Sequence, residues 1–319
     1  MDQLLYNIAR LLVKLLQALP LRGAARLGRA GGAVAYVIDL RHRRIALANL
    51  TLCFGIEMSR AQIRAIAREN FRRIGENYAC AIKTASMGWE QLRPHVEFVA
   101  APEFLASAGA DGAGRRVVAI GHFGNFELYA RFGDLAPQFQ CATTYRGLRQ
   151  DSLNRLMQSL RERSGCLYFE RRFDGPALKT FMHREGIILG LLTDQHAGNS
   201  GLRLPFLGHD CSTTASPAVF ALRYNCALHT GICYRVGLAR WRIEAGGQIP
   251  THHDGKPRAS NEIMADVNRA LEAAVRRDPA NWFWVHKRWK PAPAVPRPVQ
   301  RGPAPSAPSL SGAPTAESN

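Results

Sequence analysis

From about residue 94 onward, short apolar runs alternate with helical patterns, and this alternation constrains the fold more than any other feature of the chain. Residues 115–121 (RRVVAIG), 140–145 (QCATTY), 166–169 (CLYF), 187–194 (IILGLLTD) and 227–237 (ALHTGICYRVG) read as strands. Between them lie helical stretches at 125–135, 151–165, 175–186 and 214–226, with Asp151 placed to cap one and Gly165 to stop it. Strands and helices spaced in this way predict an α/β fold with a largely parallel central sheet flanked by helices. A last helix is expected over 261–277.

The first ninety residues are helical by pattern. In the stretch from Arg60 to Lys83, Ile63, Ile66, Ala67, Phe71, Ile74, Tyr78 and Ile82 keep to one face, with Ser59 as N-cap. The extreme N-terminus carries Leu4, Leu5, Ile8, Leu11, Leu12, Leu15, Leu16 and Leu19 at helical spacing, interrupted by Arg10 and Lys14. It falls short of the roughly 18 uninterrupted apolar residues of a spanning helix. Its arginines follow the apolar stretch, at Arg22, Arg26, Arg29, Arg41, Arg43 and Arg44. A cleaved signal peptide has the opposite order, so a retained amphipathic, membrane-associating helix is expected over residues 1–40. The same stripe suits packing against the rest of the protein. Residues 41–290 would form the globular domain, and the proline-rich stretch 291–319 a disordered tail.

Composition narrows the partners. The chain of 319 residues has 42 Lys and Arg against 25 Asp and Glu, a formal net charge of +17. Such a balance favours polyanionic or acidic partners. The 7 cysteines include no C-x-x-C pair and read as reduced, buried thiols, with no metal site expected. The run Trp282–Trp289 mixes aromatic and basic residues, a composition found in single-strand binders and in membrane-interface belts alike. With no nucleic-acid motif elsewhere, the membrane or cleft-edge reading is preferred and no nucleic-acid partner is expected.

Chemistry concentrates in AIGHFGNFELYA, residues 119–130, where His122 follows a buried strand and Glu127 stands after four intervening residues. In parallel α/β sheets, sites form outside the carboxyl ends of strands. A histidine there takes a proton from a hydroxyl when one ring nitrogen is free and the other is held by an acceptor. Glu127 is the expected acceptor. Gly121 and Gly124 allow a sharp turn, and backbone donors for an oxyanion are sought around Gly124 and Asn125.

These residues resemble the His-x4-(Asp/Glu) block of glycerolipid acyltransferases, and GHFGNFE in particular resembles the bacterial lipid A biosynthesis acyltransferases. Four further blocks follow the same family order: Arg43, Asn49 and Leu50 in RHRRIALANLTLCFG; Tyr145-Arg146 with Arg161 and Gly165; Asp194-Gln195 with Phe206, Gly208, Thr213 and Thr214; and NWFWVHKRWK. Gly147 stands where many members have proline, and Thr193-Asp194-Gln195 where the wider superfamily has Pro-Glu-Gly.

The resemblance implies transfer of a fatty acyl group from acyl carrier protein, or from coenzyme A, to a hydroxyl of a lipid A precursor. It implies His122 and Glu127 as the catalytic pair, and Phe123, Gly124, Asn125, Tyr145, Arg146, Asp194 and Gln195 as substrate contacts. No cofactor is implied beyond the thioester. The setting would be an anionic membrane surface at the cytoplasmic face of the inner membrane. Acceptors such as a lysophospholipid or an ornithine lipid, and an inactive membrane-binding scaffold of the same fold, are the alternatives.

Overall fold

The computed structural model of the chain describes residues 2–106 and 114–290; the tail expected from residue 291 lies outside the described residues. Four helices come first: α1 (Asp2–Ala18), α2 (Leu21–Ile38), α3 (Leu40–Phe54) and α4 (Arg60–Thr84). A short α5 (Trp89–Leu92), β1 (Val96–Ala100) and α6 (Pro102–Ala106) lead to β2 (Arg116–Ile120), α7 (Phe132–Leu135), β3 (Gln140–Tyr145), α8 (Asp151–Arg161), β4 (Leu167–Glu170), α9 (Gly175–Met182) and β5 (Ile187–Leu192). Then come β6 (Leu202–Phe206), β7 (His209–Thr213), α10 (Ser216–Arg223), β8 (Ala227–Gly237), β9 (Arg240–Ala245), β10 (His252–His253), β11 (Lys256–Pro257) and α11 (Ser260–Arg277).

Seven strands form the central sheet in the order β1-β9-β8-β2-β5-β3-β4. Every pairing in it is parallel except that of β8 with β9. The expected α/β class and largely parallel sheet are therefore present. β2 sits between β5 and β8, and all five of its residues are buried. Strand alternation divides them: Val117 and Ala119 enter the core that includes Ile263, Val267 and Leu271 of α11, while Val118 and Ile120 face Phe104, Phe139, Cys141 and Ile188. β1, β9 and the β6–β7 hairpin were not apparent from sequence, because each is short and has much of its surface exposed or carries arginines.

Local chemistry explains most boundaries. Ser59 caps α4, its hydroxyl taking the Gln62 amide while the Gln62 side chain accepts from Ser59 N, a reciprocal capping box. Gly165 ends the α8 segment at φ 69°, as anticipated. Two expectations are corrected. Gln150, not Asp151, is the N-cap of α8, and Asp151 is its first helical residue, where a carboxylate meets the positive end of the helix dipole. The helix expected from residue 125 begins instead as a 3-10 winding over Phe126–Arg131, because Gly124 is held at φ 50° with its N–H on the Asn281 carbonyl.

The N-terminal helices attach through α4. Helices α2 and α4 cross at glycines, and a Cβ on Gly75 would lie 2.1 Å from the Gly28 carbonyl oxygen. Above that crossing, the fully buried Glu76 carboxylate binds Arg29, Arg235 and the Ala239 amide, tying α2, α4 and the β8–β9 turn together. Helix α1 lies against α4 and α8, with the Gln17 side chain donating to the Ile82 carbonyl and Lys83 donating to the Gln17 carbonyl. Its Leu4, Leu5, Ile8, Leu11, Leu12 and Leu15 are nevertheless exposed. Among the described residues, no helix is long and apolar enough to cross a membrane.

Gly75→Ala should destabilise the protein by about 1–3 kcal/mol, since the added methyl meets backbone that cannot rotate away. The guanidinium unfolding midpoint measures this, and an unchanged midpoint would contradict the close α2–α4 crossing.

Candidate active site

His122 stands immediately beyond the carboxyl end of β2, after Gly121. A Cβ at Gly121 would meet the Phe123 ring at 2.6 Å and Asp194 Oδ2 at 3.2 Å, so only glycine fits the bend. The His122 Nδ1 lies 2.7 Å from Asp194 Oδ1, and the His122 backbone N–H donates to Asp194 Oδ2 at 2.7 Å. The same Oδ2 accepts from the Trp282 indole at 2.8 Å. Asp194 follows β5, the strand next to β2, and is 1% exposed. Burial by itself would raise the Asp194 pKa, but the charge of His122 and the hydrogen bonds from His122 and Trp282 hold it down to about 2. An ionised Asp194 accepts a hydrogen bond from Nδ1–H and leaves the basic lone pair on Nε2.

Glu127, the carboxylate expected in this role, does not touch His122; Asp194 takes its place. Glu127 instead makes a bidentate pair with Arg161 of α8, at 2.6 and 3.2 Å. The cause lies in the backbone: Gly124 turns left-handed and the following residues wind as a 3-10 helix, which sends Glu127 toward α8. Arg161, largely buried against the Tyr168 ring, needs a counter-charge there. Asp194, expected as a substrate contact, is the carboxylate that holds the ring, and its 72-residue separation from His122 offers no local spacing signal.

The His122 ring packs edge-on to Phe126 and is tilted against Phe283. It borders a cavity of about 420 Å³ that also touches Glu127, Tyr145, Arg146, Arg171 and Gln195. The Gln195 amide is 3.4 Å from His122 Nε2. From His122 the cavity follows one face of the sheet along Ile120, Val118, Gly190 and Ile188 to Phe104. Gly190 and Gly231, facing the cavity from β5 and β8, supply the space that side chains would fill. Phe104 is backed by Arg116, which stacks on it and donates to its carbonyl oxygen. The result is an apolar channel roughly 13 Å deep by strand rise, with polar groups at its mouth.

The other expected residues are distributed differently. Phe123 is fully buried and bridges to Trp282, so it supports the site without lining the channel. The Gly124 N–H is taken by Asn281, which removes it as an oxyanion donor. Asn125 is buried away from the channel, and its side-chain amide has no partner among the described residues.

The C-terminal segment, read from sequence as an interfacial or cleft-edge run, is mostly interior. Trp282 and Trp284 pack edge to face at 4.7 Å, and both are buried. Asn49 of α3 donates to the carbonyls of Trp284 and His286, and Asn70 of α4 to those of Ala280 and Trp282. The buried Arg288 donates to the Gln195 and Ser212 carbonyls and to Thr213 Oγ1, fixing the loop after β5. His286 Nε2 accepts the His196 N–H at 2.9 Å, and burial holds its pKa down at about 4, so it is neutral at pH 7. All seven cysteines are free, and burial raises the thiols of Cys53, Cys80 and Cys141 to about 12, consistent with inert structural thiols.

His286 carries a sign-definite pH prediction. The unfolded chain binds the proton near 6.5 and the folded chain only near 4. Stability on this account is full above 6.5 and falls as pH drops toward 4, with Asp194 adding a further loss below its ordinary 3.8. His286→Gln should lose a smaller part of its urea midpoint between pH 7 and pH 4.5 than the wild type; an equal loss would contradict this.

Residues 4–291 match the family model described as bacterial lipid A biosynthesis acyltransferase. The chain is 26% identical over 277 residues to a lipid A biosynthesis palmitoleoyltransferase of Escherichia coli (strain K12), covering 84% of this chain and 85% of that protein. It is similar to the same extent to a lipid A biosynthesis acyltransferase of Shigella flexneri. The match extends over nearly the whole described chain, including His122, the β5 loop and the C-terminal segment, and the protein therefore belongs to the bacterial lipid A biosynthesis acyltransferase family and is an acyltransferase.

Proposed function

We propose that this protein moves a fatty acyl group from an acyl carrier protein thioester to a hydroxyl of a lipid A precursor at the cytoplasmic face of the inner membrane. The observation that carries the reading is the placement of the His122 ring, held by Asp194, at the mouth of an apolar channel. The donor acyl chain lies along Ile120, Val118 and Ile188, with its carbonyl beside His122.

In this reading His122 Nε2 takes the proton of the acceptor hydroxyl as that oxygen attacks the thioester carbonyl. Asp194 orients the ring and stabilises the imidazolium, the part played by the acid in other His-acid pairs. The Gln195 amide, within reach of the reacting centre, donates to the tetrahedral oxyanion. Collapse expels the thiolate, which recovers the proton from His122 and leaves as the thiol. Proton and leaving group balance without a covalent enzyme intermediate. Glu127 acts through Arg161, which it fixes in the channel wall. Arg146 and Arg171, at the same mouth, suit phosphates of donor or acceptor.

The exposed leucines of α1 support attachment to the membrane surface, where an apolar face sinks into the lipid boundary. The net charge of +17 favours both an anionic bilayer and the acidic carrier protein.

Labelled acyl transfer from acyl carrier protein to a panel of membrane lipids tests the proposal. Wild-type protein is expected to label a lipid A precursor, and His122→Ala to do so about 10²- to 10⁴-fold more slowly. Labelling of a lysophospholipid or ornithine lipid alone would replace the acceptor. An undiminished rate in His122→Ala would overturn the mechanism.

A further inference from the structure

A second cavity, of about 220 Å³, lies between α4, α8 and the 3-10 turn after Asn125. Ala81 and Ile82 of α4 and Ala85, its C-cap, line it together with Leu160 of α8 and Leu128 of the turn. It meets the acyl channel at a partition formed by Tyr78, Phe126, Met157, Tyr168 and the Glu127–Arg161 pair, all of which touch both spaces.

The polar groups in its wall divide into two kinds. Glu127 is paired with Arg161, and Arg131 with Asp134 and the carbonyls of Thr84 and Met87. Asn125 Nδ2 and Oδ1 and Asn77 Oδ1 are buried with no hydrogen-bond partner among the described residues, although both asparagines line this cavity. Asn125 is 1% exposed. Buried amide groups of this kind call for a partner. The space therefore suits a ligand that is hydrocarbon along most of its length and carries an uncharged hydrogen-bonding group, such as an ester, amide or hydroxyl. An acyl chain with its carbonyl or hydroxyl has this character.

The entry side agrees. Helix α1 lies against α4 and α8, the two helices that wall the cavity, and touches α4 at Ile82, itself a lining residue. Helix α1, whose Leu4, Leu5, Ile8, Leu11, Leu12 and Leu15 are exposed, thus packs on the same two helices that wall the cavity.

We propose that this second cavity receives an acyl chain of the lipid acceptor, so that donor and acceptor chains occupy separate compartments on either side of the Glu127–Arg161 partition. The inference rests on the acyl-transfer reading above. Asn125 and Asn77 hold the polar group of the acceptor chain, and the Tyr78–Met157 edge lets its reacting hydroxyl approach His122.

The test uses the full-length protein, an acyl carrier protein thioester, a long-chain lipid A precursor and a short-chain analogue of the same glycolipid. Ala81→Leu and Ala85→Leu fill the cavity without touching the His122 channel. Each is expected to raise KM for the long-chain acceptor about tenfold, the effect of losing burial of about two methylenes. KM for the short-chain analogue and hydrolysis of the thioester without acceptor should stay as in the wild type. Equal KM in variant and wild type for the long-chain acceptor would overturn the inference, as would a changed rate of thioester hydrolysis, which would give the cavity to the donor. The wild type alone supplies a second measurement, because a KM indifferent to acceptor chain length would also overturn it. Absence of transfer to any lipid would overturn the functional reading and this inference with it.

Discussion

Asp194 gathers three donors within 2.8 Å: the ring and the backbone N–H of His122, and the indole of Trp282. A carboxylate so deeply buried is tolerable only with full hydrogen bonding and an adjacent positive or polarisable partner. Meeting that demand brings together the end of β2, the end of β5 and the C-terminal segment, three stretches far apart in sequence. The orientation of the His122 ring is thus a consequence of solving one buried charge.

The surrounding structure serves the same requirement at longer range. Asn49 and Asn70 hold the backbone that carries Trp282, and Arg288 holds the backbone that carries Gln195. The helical layer built before the sheet is therefore part of the site's support. Glu76, satisfied by two arginines and an amide, locks that layer to the β8–β9 turn. The channel, in contrast, is made by omission: glycines at 190 and 231 carry no side chain into the space lined by Ile120 and Val118. Fixed polar contacts at the mouth and an interior lined by apolar side chains are the division expected of a small-molecule pocket.

How much of this was legible in the sequence follows from how local each signal is. The α4 cap, the strands β2, β3, β4, β5 and β8, and the position of His122 at a strand end depend on neighbouring residues, and all could be read. The carboxylate partner could not. Glu127 has the right spacing but is carried off by the left-handed Gly124 and by Arg161, while Asp194 reaches His122 only through the β2–β5 pairing. The order of the strands, which decides that pairing, leaves no mark on local periodicity. The Asp-Gln dipeptide after β5 was the available clue, since parallel neighbours end on the same edge. Likewise NWFWVHKRWK has the composition of a surface belt, yet Trp282 and Trp284 are core residues because asparagines on α3 and α4 satisfy its backbone in the interior.

The central claim, that Asp194 and not Glu127 sets the state of the His122 ring, is tested most directly by nitrogen and proton NMR of histidine-labelled protein. The account predicts a low-field Nδ1 proton on His122 in the wild type, preserved in Glu127→Gln and moved upfield in Asp194→Asn, where a neutral amide is the weaker acceptor. Loss of that signal in Glu127→Gln, with its retention unchanged in Asp194→Asn, would contradict it.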